Sequence, residues 1–111
     1  MSVSSVNEYF STLNERFNAD AAKGVELVFQ WNITGDGGGT WHAVVNDGTM
    51  QLNEGATDNP TVAITISGDN YVKLINGKLK GAFAVMTRKM KVTGNIAAAR
   101  KLQKIFPVNK K

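Results

Sequence analysis

The stretch VELVFQWNITGDGGGTWHAVVNDGTMQL, residues 25–52, decides the fold class because apolar and polar residues alternate along it between two turn signals. Alternation with a period of two is typical of a strand with one buried face. The first predicted strand runs from Val25 to Ile33 and places these residues on one face: Val25, Leu27, Phe29, Trp31 and Ile33. A second strand is predicted around Trp41, Ala43 and Val45, and a short third around Met50 and Leu52.

The two interruptions of this stretch are predicted hairpin turns. Asp47-Gly48 favours a primed two-residue turn, because such turns require positive φ angles that Asp and Gly tolerate. The glycine-rich run Gly35–Gly39 is flexible enough to form a turn. It does not precede a helix, and it matches no dinucleotide-binding or phosphate-loop pattern. We therefore interpret it as a hairpin turn rather than a phosphate site.

The residues before this stretch predict helix. Ser5 and Glu8 form a capping box, and apolar residues follow at helical spacing, which predicts a helix from Val6 to Phe17. The segment Asp20–Gly24 is predicted to form a further short turn of helix, ended by its glycine.

The residues after it add strands and helices in alternation. Val62, Ile64 and Ile66 predict a fourth strand; Ser67 or Asp69 then caps a helix. Three more elements follow: a short helix over 82–86, a strand over 89–93 with lysines outward, and a helix capped by Asn95 and ended by Pro107. The order α-(α)-β-β-β-β-α-α-β-α predicts an α+β fold in which helices cover one face of a mainly antiparallel sheet. No repeat or linker divides the chain, so residues 1–111 are expected to form a single domain.

The residue types in this chain give little support for catalysis or metal binding. The chain has no cysteine, and His42 is its only histidine, placed opposite Trp41 on the alternating strand and hence on the solvent face. The aspartates have turn or cap explanations, and no carboxylate pair is spaced for acid–base work. We expect no enzyme activity, metal or cofactor. An enzyme would need a buried acid or base better than His42.

Charge is divided unevenly along the chain. Residues 70–111 carry eleven Lys and Arg and no acidic residue, whereas residues 1–69 carry two Lys and Arg and all nine Asp and Glu. The basic half is also rich in large apolar residues, which suits an anionic, apolar partner such as an acyl lipid or an anionic membrane. Nucleic acid is not expected, because the aromatic residues of this half fall on apolar helical faces. The same pattern fits an ordinary core with a solvated lysine face, and it does not separate a pocket from such a core.

Three segments of the sequence together resemble the sterol carrier protein type 2 domain. They are FQWNITGDGGGTWH at 29–42, NDG at 46–48, and PTVAITISGDNYVKLINGKLKGAFAVMTRKMKVTGNIAAARKLQKIF at 60–106. The C-terminal segment is the most specific, and the Gly-Gly-Thr-Trp run at 38–41 is a second match. The resemblance implies a five-stranded sheet whose helices enclose a hydrophobic tunnel. It also implies non-catalytic binding and intermembrane transfer of fatty acids, fatty acyl-CoA, phospholipids or sterols.

The resemblance also implies where a lipid would lie. The expected tunnel lining comes from the sheet and from three helices: Phe29, Trp31, Tyr71, Leu74, Ile75, Phe83, Met86 and Ile105. Four basic residues are expected near the mouth, where they would contact a head group or a membrane: Lys78, Lys80, Arg88 and Lys89.

Two departures from the resemblance shape the remaining expectations. The chain is expected to be a stand-alone form, whereas many relatives are fused to lipid-metabolising enzymes. It also lacks the peroxisomal tail, so we expect a cytoplasmic protein. The partners expected are a lipid and, transiently, an anionic membrane surface, and a lipid-metabolising enzyme is a further candidate. A non-lipid interaction module that docks on an acyl-processing enzyme is the alternative, and neither the ligand nor the oligomeric state follows from the sequence.

Overall fold

A five-stranded sheet forms the centre of the chain in a computed structural model that describes residues 5–35 and 37–106. Its strands are β1 (Glu26–Thr34), β2 (Gly39–Asn46), β3 (Thr49–Glu54), β4 (Val62–Ser67) and β5 (Met90–Gly94). They lie in the order β3-β2-β1-β4-β5, and every neighbouring pair is antiparallel except β1 and β4, which are parallel. The predicted α+β fold with a mainly antiparallel sheet is confirmed.

The register brings the apolar residues of neighbouring strands onto one face. Trp31 pairs with Trp41 of β2 and with Ile64 of β4 at the middle of the sheet. These three residues are buried, and along β1 and β4 buried residues alternate with partly exposed ones. We call the face that carries them the inner face, because the helices cover it.

Both predicted hairpin turns form. Asp47 and Gly48 have φ angles of 46° and 86°, as a primed turn requires. The Asp47 carboxylate also accepts a hydrogen bond of 2.8 Å from the Gly24 N–H, which ties this turn to the start of β1. At the glycine-rich hairpin, the Gly38 N–H donates to the Gly35 carbonyl over 3.1 Å.

The helices are α1 (Val6–Ser11), α2 (Leu13–Arg16), α3 (Gly68–Ile75), α4 (Gly81–Met86) and α5 (Ile96–Ile105). Three of them begin at a side chain that accepts a hydrogen bond from a backbone N–H of the first turn, as the sequence predicted. These capping residues are Ser5, Ser67 and Asn95. The predicted end of the last helix, Pro107, lies outside the described residues.

The prediction of one helix from Val6 to Phe17 is wrong, because the helix breaks at Thr12. The Thr12 hydroxyl donates to the Glu8 carbonyl over 2.9 Å, and its φ and ψ angles of −110° and 12° are not helical. Such a bond from a threonine side chain to the backbone competes with the helical ladder. The predicted helical turn at Asp20–Gly24 is also wrong, since residues 19–24 form successive hydrogen-bonded turns instead.

The helices cover the inner face unevenly. The third helix, α3, packs against β1 and β4, and α5 packs against β4 and β5. Helix α1 reaches the β2 side of the sheet through Phe10, whose ring stacks on Trp41 at 4.2 Å. Helix α4 lies beside β5, at the opposite edge. The core is therefore a layer between the sheet and α1, α3 and α5, with α4 at its margin.

Gly94 and Gly55 allow a matched test of the backbone contact between β4 and β5. Both have a φ of 99°, so alanine at either position carries a strain of order 1–3 kcal/mol. A Cβ at Gly94 would also lie 2.5 Å from the Thr61 carbonyl oxygen, whereas one at Gly55 meets nothing within 4 Å. We expect Gly94→Ala to lower the free energy of unfolding by about 1–3 kcal/mol more than Gly55→Ala, as measured by urea denaturation. Equal losses would show that the contact with Thr61 is unimportant.

Candidate lipid-binding site

The layer between sheet and helices brings together most of the residues predicted to line a tunnel. Five of them lie in one buried cluster: Phe29, Trp31, Tyr71, Ile75 and Ile105. Each is at most 3% exposed, and Leu74 packs against the cluster while staying partly exposed. The structure thus places six of the eight predicted residues in or against a continuous apolar interior.

Phe83 and Met86, the other two residues predicted to line the tunnel, lie outside this interior. Their side chains are 52% and 81% exposed, and Val85 beside them is 45% exposed. Helix α4 has only six residues, and only Ala84 among them is buried. Because α4 turns only Ala84 fully inward, Phe83 and Met86 form an exposed apolar surface rather than a lining in this conformation. We call Phe83, Val85 and Met86 the α4 patch.

The four predicted basic residues surround the α4 patch. Lys78 and Lys80 precede α4, Arg88 and Lys89 follow it, and all four are exposed. The Lys89 ammonium lies 5.8 Å from the centroid of the Phe83 ring, within the range of a cation–π contact. The Arg88 backbone has a φ of 63° and its N–H donates to the Val85 carbonyl, which ends the helix. Basic and apolar groups therefore share one surface at the β5 edge.

Aromatic residues that sequence reasoning did not assign to the site fill the centre of the interior. Phe10 of α1 stacks on Trp41, and its ring lies 5.3 Å from that of Trp31 in an edge-to-face arrangement. Phe106 lies 5.9 Å from Trp31 on another side. The signal was present, because Phe10 belongs to the apolar face that predicted the first helix. Which residue of the sheet Phe10 contacts depends on tertiary packing, and the helical spacing alone does not predict it.

The interior also holds polar groups. The rings of Tyr9 and Tyr71 meet edge to face at 5.2 Å, and both residues are buried. Burial raises the pKa of Tyr9 to about 12, partly offset by the Tyr71 hydroxyl and the Arg16 charge. Burial also raises the pKa of Tyr71 well above its ordinary value. Both phenols are therefore neutral at physiological pH.

A surface cleft opens at the other edge of the sheet. It has a volume of about 380 Å3 and lies between α1 and the strands β2 and β3. Its lining residues are Asn7, Phe10, Ser11, Trp41, Leu52 and Glu54. The cleft is thus separated from the α4 patch by the width of the sheet, which is four interstrand spacings of about 4.8 Å, or roughly 19 Å.

His42 takes part in a hydrogen-bonded network on the face of the sheet opposite the helices. Its Nδ1 lies 2.8 Å from the Gly55 carbonyl oxygen, which only accepts, so Nδ1 carries the proton. Its Nε2 lies 3.4 Å from the Asn53 side-chain amide. These contacts give His42 a structural role in joining β2 to the chain after β3.

Comparison with known proteins identifies the family. A family model described as the SCP-2 sterol transfer family matches residues 6–107. The chain belongs to the SCP-2 sterol transfer family. Lipid binding and transfer are the general function of SCP-2 domains.

Solved structures confirm the SCP-2 fold. The solution structure of palmitated SCP2L2 from Aedes aegypti is 23% identical with a TM-score of 0.71, covering 97% of this chain and 99% of that one. The sec-alkylsulfatase Pisa1 from Pseudomonas sp. is 18% identical with a TM-score of 0.74, covering 93% of this chain and 16% of that one. At these identities the likeness shows the fold alone.

Sequence relatives carry the SCP-2 domain within longer proteins. The chain is 33% identical over 102 residues to hydroxysteroid dehydrogenase-like protein 2 from Bos taurus, which covers 91% of this chain and 24% of that protein. The chain thus spans about a quarter of the length of this curated relative.

Within residues 5–35 and 37–106, none of the helices has the length and hydropathy needed to span a membrane.

The raised pKa of Tyr9 predicts a loss of stability at alkaline pH. Between pH 10 and pH 12 the unfolded chain loses the Tyr9 proton while the folded chain keeps it, so the free energy of unfolding falls as pH rises. Tyr9 alone should contribute a loss of about 2 kcal/mol by the end of this range. Urea denaturation at several pH values measures this loss, with Tyr9→Phe as the control, because that variant lacks the Tyr9 hydroxyl. The same pH dependence in both would contradict the assignment.

Proposed function

We propose that this SCP-2 domain binds a lipid with its hydrocarbon part in the layer between sheet and helices, and exchanges it with anionic membranes through the α4 patch. The observation that carries the proposal is the α4 patch itself. It joins an exposed apolar surface to basic residues at the margin of an apolar interior. The domain has no catalytic role in this proposal.

The chemistry of the interior suits a hydrocarbon chain. Among the described residues no charged side chain is buried, and the residues between sheet and helices are apolar or aromatic. About ten methylene groups buried there would contribute roughly 8 kcal/mol, which corresponds to micromolar affinity before the cost of separating the helices. Palmitate is a reasonable first ligand, because the neighbouring structure of SCP2L2 is palmitated.

Helix α4 is a weakly anchored part of the cover over the interior. Three other helices begin at a side-chain cap, but α4 begins at Lys80 without a side-chain cap hydrogen bond. Its only buried residue is Ala84, which contributes little apolar area. Elements with few buried contacts open locally more easily than the rest of a fold. We therefore place the route for the hydrocarbon chain beneath α4, with Phe83 and Met86 turning inward to line it when a lipid is bound.

The charges around α4 favour an anionic membrane or head group. The described part of the basic half carries Lys and Arg from Lys73 to Lys104 and no acidic residue after Asp69. Each basic residue near an anionic leaflet contributes about 1 kcal/mol of attraction, which salt screens. A carboxylate or phosphate leaving the interior would contact Lys80, Arg88 or Lys89, the basic residues beside α4 that we call the basic rim.

A single substitution in the α4 patch tests membrane contact. Met86→Glu places a negative charge where an apolar side chain would enter the membrane, and it should weaken binding to vesicles containing anionic phospholipid by at least about tenfold. The matched control is Val44→Glu, since Val44 is an exposed apolar residue on the opposite face of the sheet. Cosedimentation with the vesicles measures both. Equal weakening in the two variants, or binding unchanged from about 0.05 to about 0.5 M salt, would contradict the proposed surface.

Lipid binding itself is tested by native mass spectrometry of the purified protein, followed by organic extraction. We expect either a co-purified lipid of defined mass or a mass shift on addition of palmitate, acyl-CoA or sterol. A protein whose mass stays that of the bare chain with all three would contradict the proposal. That outcome would favour an interaction module that docks on an acyl-processing enzyme, a candidate supported by relatives in which the domain is part of a longer protein.

A further inference from the structure

The interior contains a hydrogen-bond donor without a partner. The Trp31 side chain is fully buried, and within the described part of the chain its indole Nε1–H makes no hydrogen bond. Buried indole N–H groups usually find an acceptor, because an unpaired buried donor keeps the full cost of its lost hydration. This donor lies at the centre of the sheet, next to the lining that the proposed function assigns to lipid.

Two phenols lie beside this donor. The Trp31 N–H lies near the Tyr71 hydroxyl and partly offsets the rise in the pKa of Tyr71, but the indole N–H has no hydrogen-bond partner among the described residues. Tyr9 contacts Tyr71 edge to face. The Tyr9 and Tyr71 hydroxyls share a hydrogen bond, and because both phenols are neutral the pair can donate one further hydrogen bond to an added oxygen or accept one from it. The three groups form a polar niche, Trp31–Tyr9–Tyr71, inside an otherwise apolar layer.

The niche favours an uncharged oxygen over a carboxylate. A buried carboxylate requires a paired cation, and no charged side chain among the described residues is buried. The nearby Arg16 guanidinium lies over the ring face of Tyr9 at 5.2 Å and bonds to the Thr12 hydroxyl. Arg16 is only partly buried, so it does not provide a buried cation for a carboxylate.

The cleft at the β3 edge provides access to the niche. Phe10 and Trp41, stacked on one another, form part of its lining, and Phe10 also contacts Trp31. Phe10 therefore lies between the cleft and the Trp31 ring. The lining includes Glu54 and no Lys or Arg, so it disfavours the passage of an anionic group.

We propose that the Trp31 indole N–H, together with the phenols of Tyr9 and Tyr71, binds the uncharged oxygen of a lipid, such as a hydroxyl, ketone or ester carbonyl. This inference rests on the proposed binding of lipid in the interior, and it adds the chemistry of the buried end. Anionic heads stay at the basic rim beside α4, and uncharged polar ends enter the niche.

Matched ligands and matched variants test the niche. Dodecane, 1-dodecanol and dodecanoate share a chain length, and their dissociation constants follow from displacement of bound anilinonaphthalene sulfonate. Trp31→Phe removes the donor, and Trp41→Phe makes the same chemical change in the residue paired with Trp31 across β1 and β2. The affinity of dodecanol relative to dodecane should be about 2- to 10-fold lower in Trp31→Phe than in Trp41→Phe. An equal ratio in the two variants would overturn the inference.

A measurement on the unaltered protein decides the case if Trp31→Phe fails to fold. The Trp31 indole N–H resonance, assigned as the one of two that persists in Trp41→Phe, should move downfield with dodecanol and stay nearly unchanged with dodecane. The same response to both ligands would overturn the inference while leaving lipid binding intact. Failure of all three ligands to bind would instead overturn the proposed function and this inference together.

Discussion

The burial of Trp31 is the interaction on which the remaining structure depends. Its strand, β1, is the central one, and its side chain lies between Trp41 of β2 and Ile64 of β4 in the register of the sheet. Phe10 covers it from the N-terminal helix, and Phe106 covers it from the end of α5. One indole thus holds together segments from both ends of the chain, and the lipid site is built around it. The same side chain brings a polar N–H into the layer that must accept hydrocarbon.

Much of the fold was predictable because its strands obey local rules. The alternation around Phe29 and Trp31 placed β1 to within a residue at each end, and the Asp47-Gly48 pair predicted its turn correctly. The break at Thr12 was not predicted, since it depends on whether a threonine hydroxyl bonds to the backbone or to solvent. The parallel pairing of β1 with β4 joins residues that are far apart in sequence, and no local pattern reports it.

The candidate site was predictable only in part, for a related reason. Apolar spacing identifies which side chains of a helix share a face, but not how far that face turns inward. Tyr71 and Ile75 lie on a helix long enough to pack across two strands, and both are buried. Phe83 and Met86 lie on a six-residue helix at the sheet edge, and both are exposed. The role of Phe10 required knowing which helix covers β2, which is a property of the whole fold.

The order of the strands determines where the acidic and basic halves of the chain lie in the fold. Strands β1 to β4 all lie within residues 1–69, the half that carries all the acidic residues, and β5 alone belongs to the basic half. Because β5 is an edge strand beside β4, the basic half joins the sheet through the pairing of β4 with β5. The parallel pairing of β1 with β4 sets the course of folding. The β1–β2–β3 meander needs only two short hairpins, whereas pairing Phe29 with Val62 first closes a long loop of chain, which costs entropy before any contact is gained. The meander is therefore the natural nucleus, and the basic half assembles against it last.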